Sequence, residues 1–275
     1  MFRAVMSAVV LVVLSAKLTV AADIFVRGSP GYPQDDRNFL LIMGKITTGD
    51  DIKFKSVILD TVQKGIFIDT VVIYSPGGAV GPALKIGRYI RALRTQTYGP
   101  YVTEPYFVGT QFCPVYSRNT KEYFVMEYNW KTGRGDSRCI CASACFLIWA
   151  GGIWGVGNTG TLNEKILIHR IAFDPTEYGG LSEGEARRRY ELAQQAVEGY
   201  LREMGVPEFT IQRMFTIPSG RTEYLSKQEQ SVLKQTPPYL GEFVAAKCRG
   251  GSSSCGDQMR RQFFFDGAKE VERMD

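Results

Sequence analysis

The stretch Thr70 to Gly78, TVVIYSPGG, constrains the fold of this 275-residue chain more than any other. A strand with one wet face alternates apolar and polar residues, whereas TVVIY is a continuous β-branched and aromatic run. That pattern predicts a parallel strand covered on both faces. Pro76 stops it, and Gly77-Gly78 admits turn geometries that a Cβ would obstruct while leaving the amides bare. The helix that follows from near Ala79 carries Ala83, Leu84, Ile86, Gly87, Ile90 and Leu93, with Arg88, Arg91 and Arg94 between them, an amphipathic pattern. A strand-turn-helix unit of this kind implies an α/β architecture.

Similar units flank it. Phe39 to Ile46 (FLLIMGKI) reads as a buried strand, TTGDD as the loop that ends it, and Phe54 to Gln63 as a helix closed by Lys64-Gly65. Further on, Cys141-Ala142-Ser143-Ala144-Cys145 opens the apolar run FLIWAGG, and Ile166-Leu167-Ile168 reads as a short buried strand ending in His169. Three β-to-α transitions therefore present their loops in series, at SPGG, CASAC and His169, and sites in open α/β sheets form at such strand ends. Leu181 to Met204 is predicted as a helix, capped by Ser182 with Glu185 in its capping box. A short helix over Glu208 to Phe215 and another after Ser226 follow. Between these regular units, residues 98–138 read as an insertion containing Cys113 and one strand pair around Tyr123 to Tyr128.

At 44% hydrophobic residues the chain can bury one substantial core, assigned to a domain over 23–240, with 241–275 a tail holding a Cys pair. Residues 1–22 read as a secretory signal: Arg3, an uncharged run from Ala4 to Ala16, and Val20-Ala21-Ala22 for cleavage near Ala22, before Asp23. An uncleaved anchor is the alternative. Signal removal places the mature chain in the periplasm or outside the cell. Losing Arg3 and Lys17 takes the net charge from +5 to +3. No basic cluster interleaved with aromatics marks a nucleic-acid groove, so that partner is not expected. The six cysteines, Cys113, Cys139, Cys141, Cys145, Cys248 and Cys255, are an even number in a chain read as exported, which predicts up to three disulfides. Cys248 with Cys255 is the simplest pair; sequence does not settle the connectivity of the other four, and Cys113 with Cys139 or Cys141 would staple the insertion near the CASAC turn. The spacing of Cys139, Cys141 and Cys145 is not a CxxC pair, so no metal is expected.

Ser143 has two readings. A serine before an apolar run can be an N-cap. Held between small residues at a tight turn, it can instead be a nucleophile. His169 is the only histidine and the one imidazole base in the chain. It lies 26 residues beyond Ser143, far enough to cross one helix and return along a neighbouring strand. The backbone N–H groups of Gly77 or Gly78, with that of Ala144, would hold an oxyanion.

Together these motifs resemble the ClpP/crotonase superfamily, and within it the Clp-type serine peptidases and their exported, Cys-flanked relatives. The match runs from about Phe39 to Leu233 and ends in a YLS-x-x-E stretch. The resemblance implies stacked ββα units, with the Cys-containing insertion placed before the nucleophile turn. It implies Ser143 as nucleophile, His169 as general base, Gly77/Gly78 with Ala144 as oxyanion hole, no cofactor, and a peptide or protein substrate. It leaves a homo-oligomer open. The family's acidic triad position falls near Thr222, where Glu223 is the nearest carboxylate; a solvated loop glutamate or a plain Ser-His dyad are the alternatives. The insertion and the export reading argue against the family's ATPase partner. The function expected is an exported serine hydrolase, with a catalytically inactive binding or assembly protein of the cell envelope as the alternative. A crotonase-type acyl-CoA enzyme would need a cytoplasmic substrate, and disulfide pairing argues against Cys141 or Cys145 as a nucleophile.

Overall fold

A computed structural model describes residues 21–28, 38–101, 110–116, 123–129, 134–136, 139–153, 164–173, 178–248 and 253–275. The leader expected over 1–22 lies outside these residues but for Ala21 and Ala22, as do parts of the 98–138 insertion.

The run TVVIY is the interior of β3 (Ile68–Tyr74), which lies parallel between β2 (Asn38–Met43) and β4 (Gln96–Tyr98). Antiparallel β1 (Asp23–Gly28) completes this sheet in the order β1-β2-β3-β4. Leu40, Leu41, Ile42, Val71 and Ile73 are fully buried, as the non-alternating pattern requires. A second sheet has the order β10-β9-β8, with β8 (Cys141–Ala142) parallel to β9 (Ile166–Ile168) and β10 (Glu223–Tyr224) antiparallel to β9. A parallel bridge between Ser75 and Cys141 joins β8 to the end of β3. The insertion holds its own antiparallel meander, β5 (Thr110–Tyr116), β6 (Tyr123–Asn129) and β7 (Arg134–Gly135).

Helix α1 (Asp50–Gln63) starts four residues before the apolar stripe at Phe54, because Asp50 and Asp51 suit the positive end of a helix. Helices α2 (Val80–Leu93) and α3 (Ala144–Ala150) pack on each other behind the two turns. The capping box of Ser182 and Glu185 starts α4 (Glu183–Glu203), and a second one, Ser226 with Glu229, starts α6 (Lys227–Val232) after α5 (Glu208–Thr216). The last 37 residues of the sequence contain most of α7 (Pro238–Lys247) and all of α8 (Ser253–Arg273). Phe264, Ala268 and Val271 of α8 are buried in the main core against α1 and α2. Burying Phe264 alone contributes about 2–3 kcal/mol.

Three disulfides form: Cys113 with Cys139, Cys141 with Cys145, and Cys248 with Cys255. The first fastens β5 of the insertion to the segment that enters β8. Among the described residues no helix is long and apolar enough to cross a membrane.

Candidate active site

Parallel pairing brings the turns after β3, β8 and β9 to one edge. Ser143 follows β8 and its N–H donates to the Leu167 carbonyl at 3.1 Å, two residues before His169, which follows β9. Ser143 has φ 57° and ψ −122°, a strained conformation for a side chain with a Cβ. It occupies the N-cap position of α3, yet its side chain accepts no capping hydrogen bond. The Cys141–Cys145 disulfide spans the turn, with Cα atoms 5.3 Å apart, and both cysteines are buried. Cys141 is fixed a second time, because the Ser75 N–H bonds the Ile140 carbonyl at 2.6 Å and the Ala142 N–H bonds the Ser75 carbonyl at 3.0 Å.

The glycine pair fits beneath this turn. A Cβ on Gly77, at φ +98°, would lie 2.6 Å from Ser143 Cβ and 3.0 Å from the Ala144 nitrogen. A Cβ on Gly78, at φ +138°, would lie 2.1 Å from the Ile46 carbonyl oxygen. Ile46 clamps the pair by donating to the Gly77 carbonyl and accepting from the Ala79 N–H, each at 2.9 Å. The Gly77 N–H is itself engaged, donating to Ser75 Oγ at 3.1 Å. The N–H groups of Gly78 and Ala144 have no acceptor among the described residues. Gly77→Ala is therefore expected to lower stability by about 1–3 kcal/mol through clash and positive φ, read by urea denaturation. Gly184→Ala in the first turn of α4, with open space around it, should leave the midpoint unchanged or raised.

His169 is half-buried, and its Nδ1 lies 2.6 Å from the Arg170 carbonyl oxygen. A carbonyl can only accept, so this bond requires the proton on Nδ1 and leaves Nε2 of the neutral ring as the basic nitrogen. Glu223 pairs in register with Ile168, one residue short of His169. Alternation along a strand sets neighbouring side chains on opposite faces. The carboxylate of Glu223 is engaged by Arg213 at 3.5 Å and Arg221 at 3.1 Å.

Ser143 lines a cleft of about 830 Å³ together with Ile46, Thr47, Val80, Leu84, Ile171 and Phe173. Its wall is mostly apolar and is drawn from the segments after β2, β3 and β9 and from Ala193 and Ala196 of α4. Ser75, which occupies the Gly77 N–H, and the Arg170 carbonyl were not singled out in the sequence. Ser75 was visible as the residue before Pro76, but its role depends on a bridge to Cys141 that is 66 positions away. Among the described residues no cluster of three or more His, Cys, Asp or Glu could hold a metal ion.

No family model matches the sequence and no curated protein matches it. Solved structures similar to the chain include an asparagine-to-aspartate mutant of ClpP1 from Listeria monocytogenes, 16% identical, covering 71% of this chain and 88% of that one at a TM-score of 0.35. The ClpP protease catalytic domain from Plasmodium falciparum is 16% identical over 72% of this chain and 87% of its own, with a TM-score of 0.35. A serine-to-alanine mutant of the 1510-N membrane-bound stomatin-specific protease is 14% identical over 75% and 82%, with a TM-score of 0.34. Chemistry has to come from the geometry above.

Proposed function

We propose that the chain is an exported serine hydrolase that cleaves peptide bonds through an acyl-enzyme on Ser143. The observation that carries this reading is the conformation of Ser143: strained, not used as a cap, and set in a cleft wall beside the strand that ends in His169. Strain of this kind costs about 1–3 kcal/mol and persists where its surroundings impose it; here the disulfide, the Ser75 bridge and the Gly77 approach do so.

In the proposed reaction Ser143 Oγ attacks the substrate carbonyl carbon while its proton passes to His169 Nε2. The oxygen of the tetrahedral intermediate takes the N–H groups of Gly78 and Ala144, each such donor being worth about 3 kcal/mol. Collapse breaks the C–N bond, the amine leaves with the proton from His169, and water repeats the sequence to release the acid. The arrangement is a Ser-His dyad in which the Arg170 carbonyl, not Glu223, orients the imidazole. No cofactor enters. The apolar wall suits a substrate with an apolar side chain next to the scissile carbonyl. Three disulfides suit an oxidising compartment, with no ATPase partner, and a homo-oligomer remains part of the proposal.

The test is a fluorophosphonate probe on the mature protein and on Ser143→Ala. Labelling of the first and not the second is expected. Absence of labelling on a folded wild type would favour the alternative, a binding or assembly protein of the cell envelope.

A further inference from the structure

Asp50 is a buried carboxylate, 2% exposed, and no Lys or Arg lies within salt-bridge reach of it among the described residues. Its Oδ2 accepts from the Thr47 N–H at 2.7 Å, the Thr47 hydroxyl at 3.1 Å and the Ala22 backbone nitrogen at 3.4 Å. Three neutral donors and the positive end of α1 hold this buried carboxylate without a counter-ion, and buried charges are ordinarily paired with a cation. The nearby Lys53 does not supply one, because its ammonium donates to the Ala22 carbonyl at 2.6 Å.

Ala22 is fully buried in the main core, whereas Ala21 is exposed. Cleavage after Ala22 would remove a buried residue, strip Asp50 of one donor and leave Lys53 without its acceptor. Cleavage one bond earlier would keep every contact and turn the Ala22 nitrogen into an ammonium facing Asp50. Thr19 and Ala21 meet the small-residue requirement for that cut.

We propose that the Ala21–Ala22 peptide bond is a processing site and that the α-ammonium of Ala22 is the cation of Asp50. A leader-removing peptidase of the exporting cell adds water across the bond, leaving a carboxylate on Ala21 and an amine on Ala22 that takes a proton. The pair then acts on the cleft. Asp50 holds Thr47, Ile46 clamps the Gly77-Gly78 turn, and Thr47 and Ile46 line the cavity with Ser143. The new terminus thus secures, through Asp50, the loop over 44–49 whose Ile46 clamps the glycine turn. The proposal rests on the export reading and not on the acyl-enzyme chemistry.

The full chain, secreted with its own leader, should yield mature protein whose N-terminal sequence is Ala-Asp-Ile-Phe; a start at Asp23 or retention of Met1 would overturn the site. An amine-reactive label applied near neutral pH should modify the Ala22 amine at least about tenfold more slowly in folded protein than in urea, because the buried terminus reacts only on opening. Asp50→Asn should lift that protection, and equal labelling in folded and unfolded protein would overturn the pairing whether or not the variant folds. A chain extended by Ser-Ala21 ahead of Ala22 keeps the backbone without the charge. It should melt about 2–4 °C lower, and an unchanged midpoint counts against the ion pair.

Discussion

Replacing His169 by glutamine is expected to slow acylation of Ser143 by a factor of about 10²–10⁴, the range that a positioned general base supplies. Glutamine has similar reach, and its amide N–H₂ can still donate to the Arg170 carbonyl that His169 Nδ1 holds at 2.6 Å. What it cannot do is accept the hydroxyl proton. The measurement is the pseudo-first-order rate of fluorophosphonate labelling, with the melting midpoint as a check that the fold is retained. Glu223→Gln gives the contrast. With its carboxylate engaged by Arg213 and Arg221, its loss should change the rate by less than about threefold, the size of a screened surface contribution. Wild-type labelling by His169→Gln would sink the dyad, and an equal loss in Glu223→Gln would show that the carboxylate orients the imidazole after all.

That contrast marks where sequence stops being informative about the site. Ser143, Gly77, Gly78 and His169 could be singled out because each sits at the end of an apolar run, and three such ends in series imply one sheet edge. The state of each group could not be read the same way. Whether Ser143 caps α3 depends on its φ and ψ, and the positive φ follows from constraints spread over Ser75, Cys141 and Cys145. The Gly77 N–H looked as available as that of Gly78 until Ser75 Oγ took it. Glu223 looked near the site in sequence, yet pairing it with Ile168 instead of His169 directs its side chain to the arginines.

The fold divides in the same manner. Units with a full hydrophobic period are legible: β3, α2 and the capped α4 all match their patterns. The two- and three-residue strands β4, β8 and β10, unlike the wholly apolar β9, carry too few telling positions to show a period and exist only through their partners. Helix α8 is instructive because its signal was present. Phe264, Ala268 and Val271 have helical spacing and all are buried. Three consecutive phenylalanines and a dense set of charges obscure that stripe, so the segment reads as a charged tail.

The largest loss of stability should come from a pair that no local pattern reveals. Lys234 and Glu164 lie 70 residues apart, each 1% exposed, with Nζ 3.1 Å from Oε2. Glu164 Oε1 also accepts from the Gly99 N–H at 2.6 Å and from Trp149 Nε1 at 2.9 Å. Lys234 donates to the Thr97 carbonyl at 2.7 Å, and its ammonium stands 4.0 Å over the Trp149 ring. Burial pulls the lysine below its usual range and Glu164 opposes that pull. The cluster ties β4, α3 and the entry to β9 to the segment after α6, so the elements carrying Ser143 and His169 share one polar anchor. Removing one member takes the opposite charge away from the other in the interior, which costs about 3–5 kcal/mol, whereas removing both costs less than the sum of the two. Lys234→Met and Glu164→Gln should therefore each lower the unfolding free energy by about that amount in urea titrations. The double variant should lose less than the sum, with a coupling energy of about 1–3 kcal/mol. Additive losses, or single losses below about 1 kcal/mol, would mean that the pair is screened as a surface contact would be.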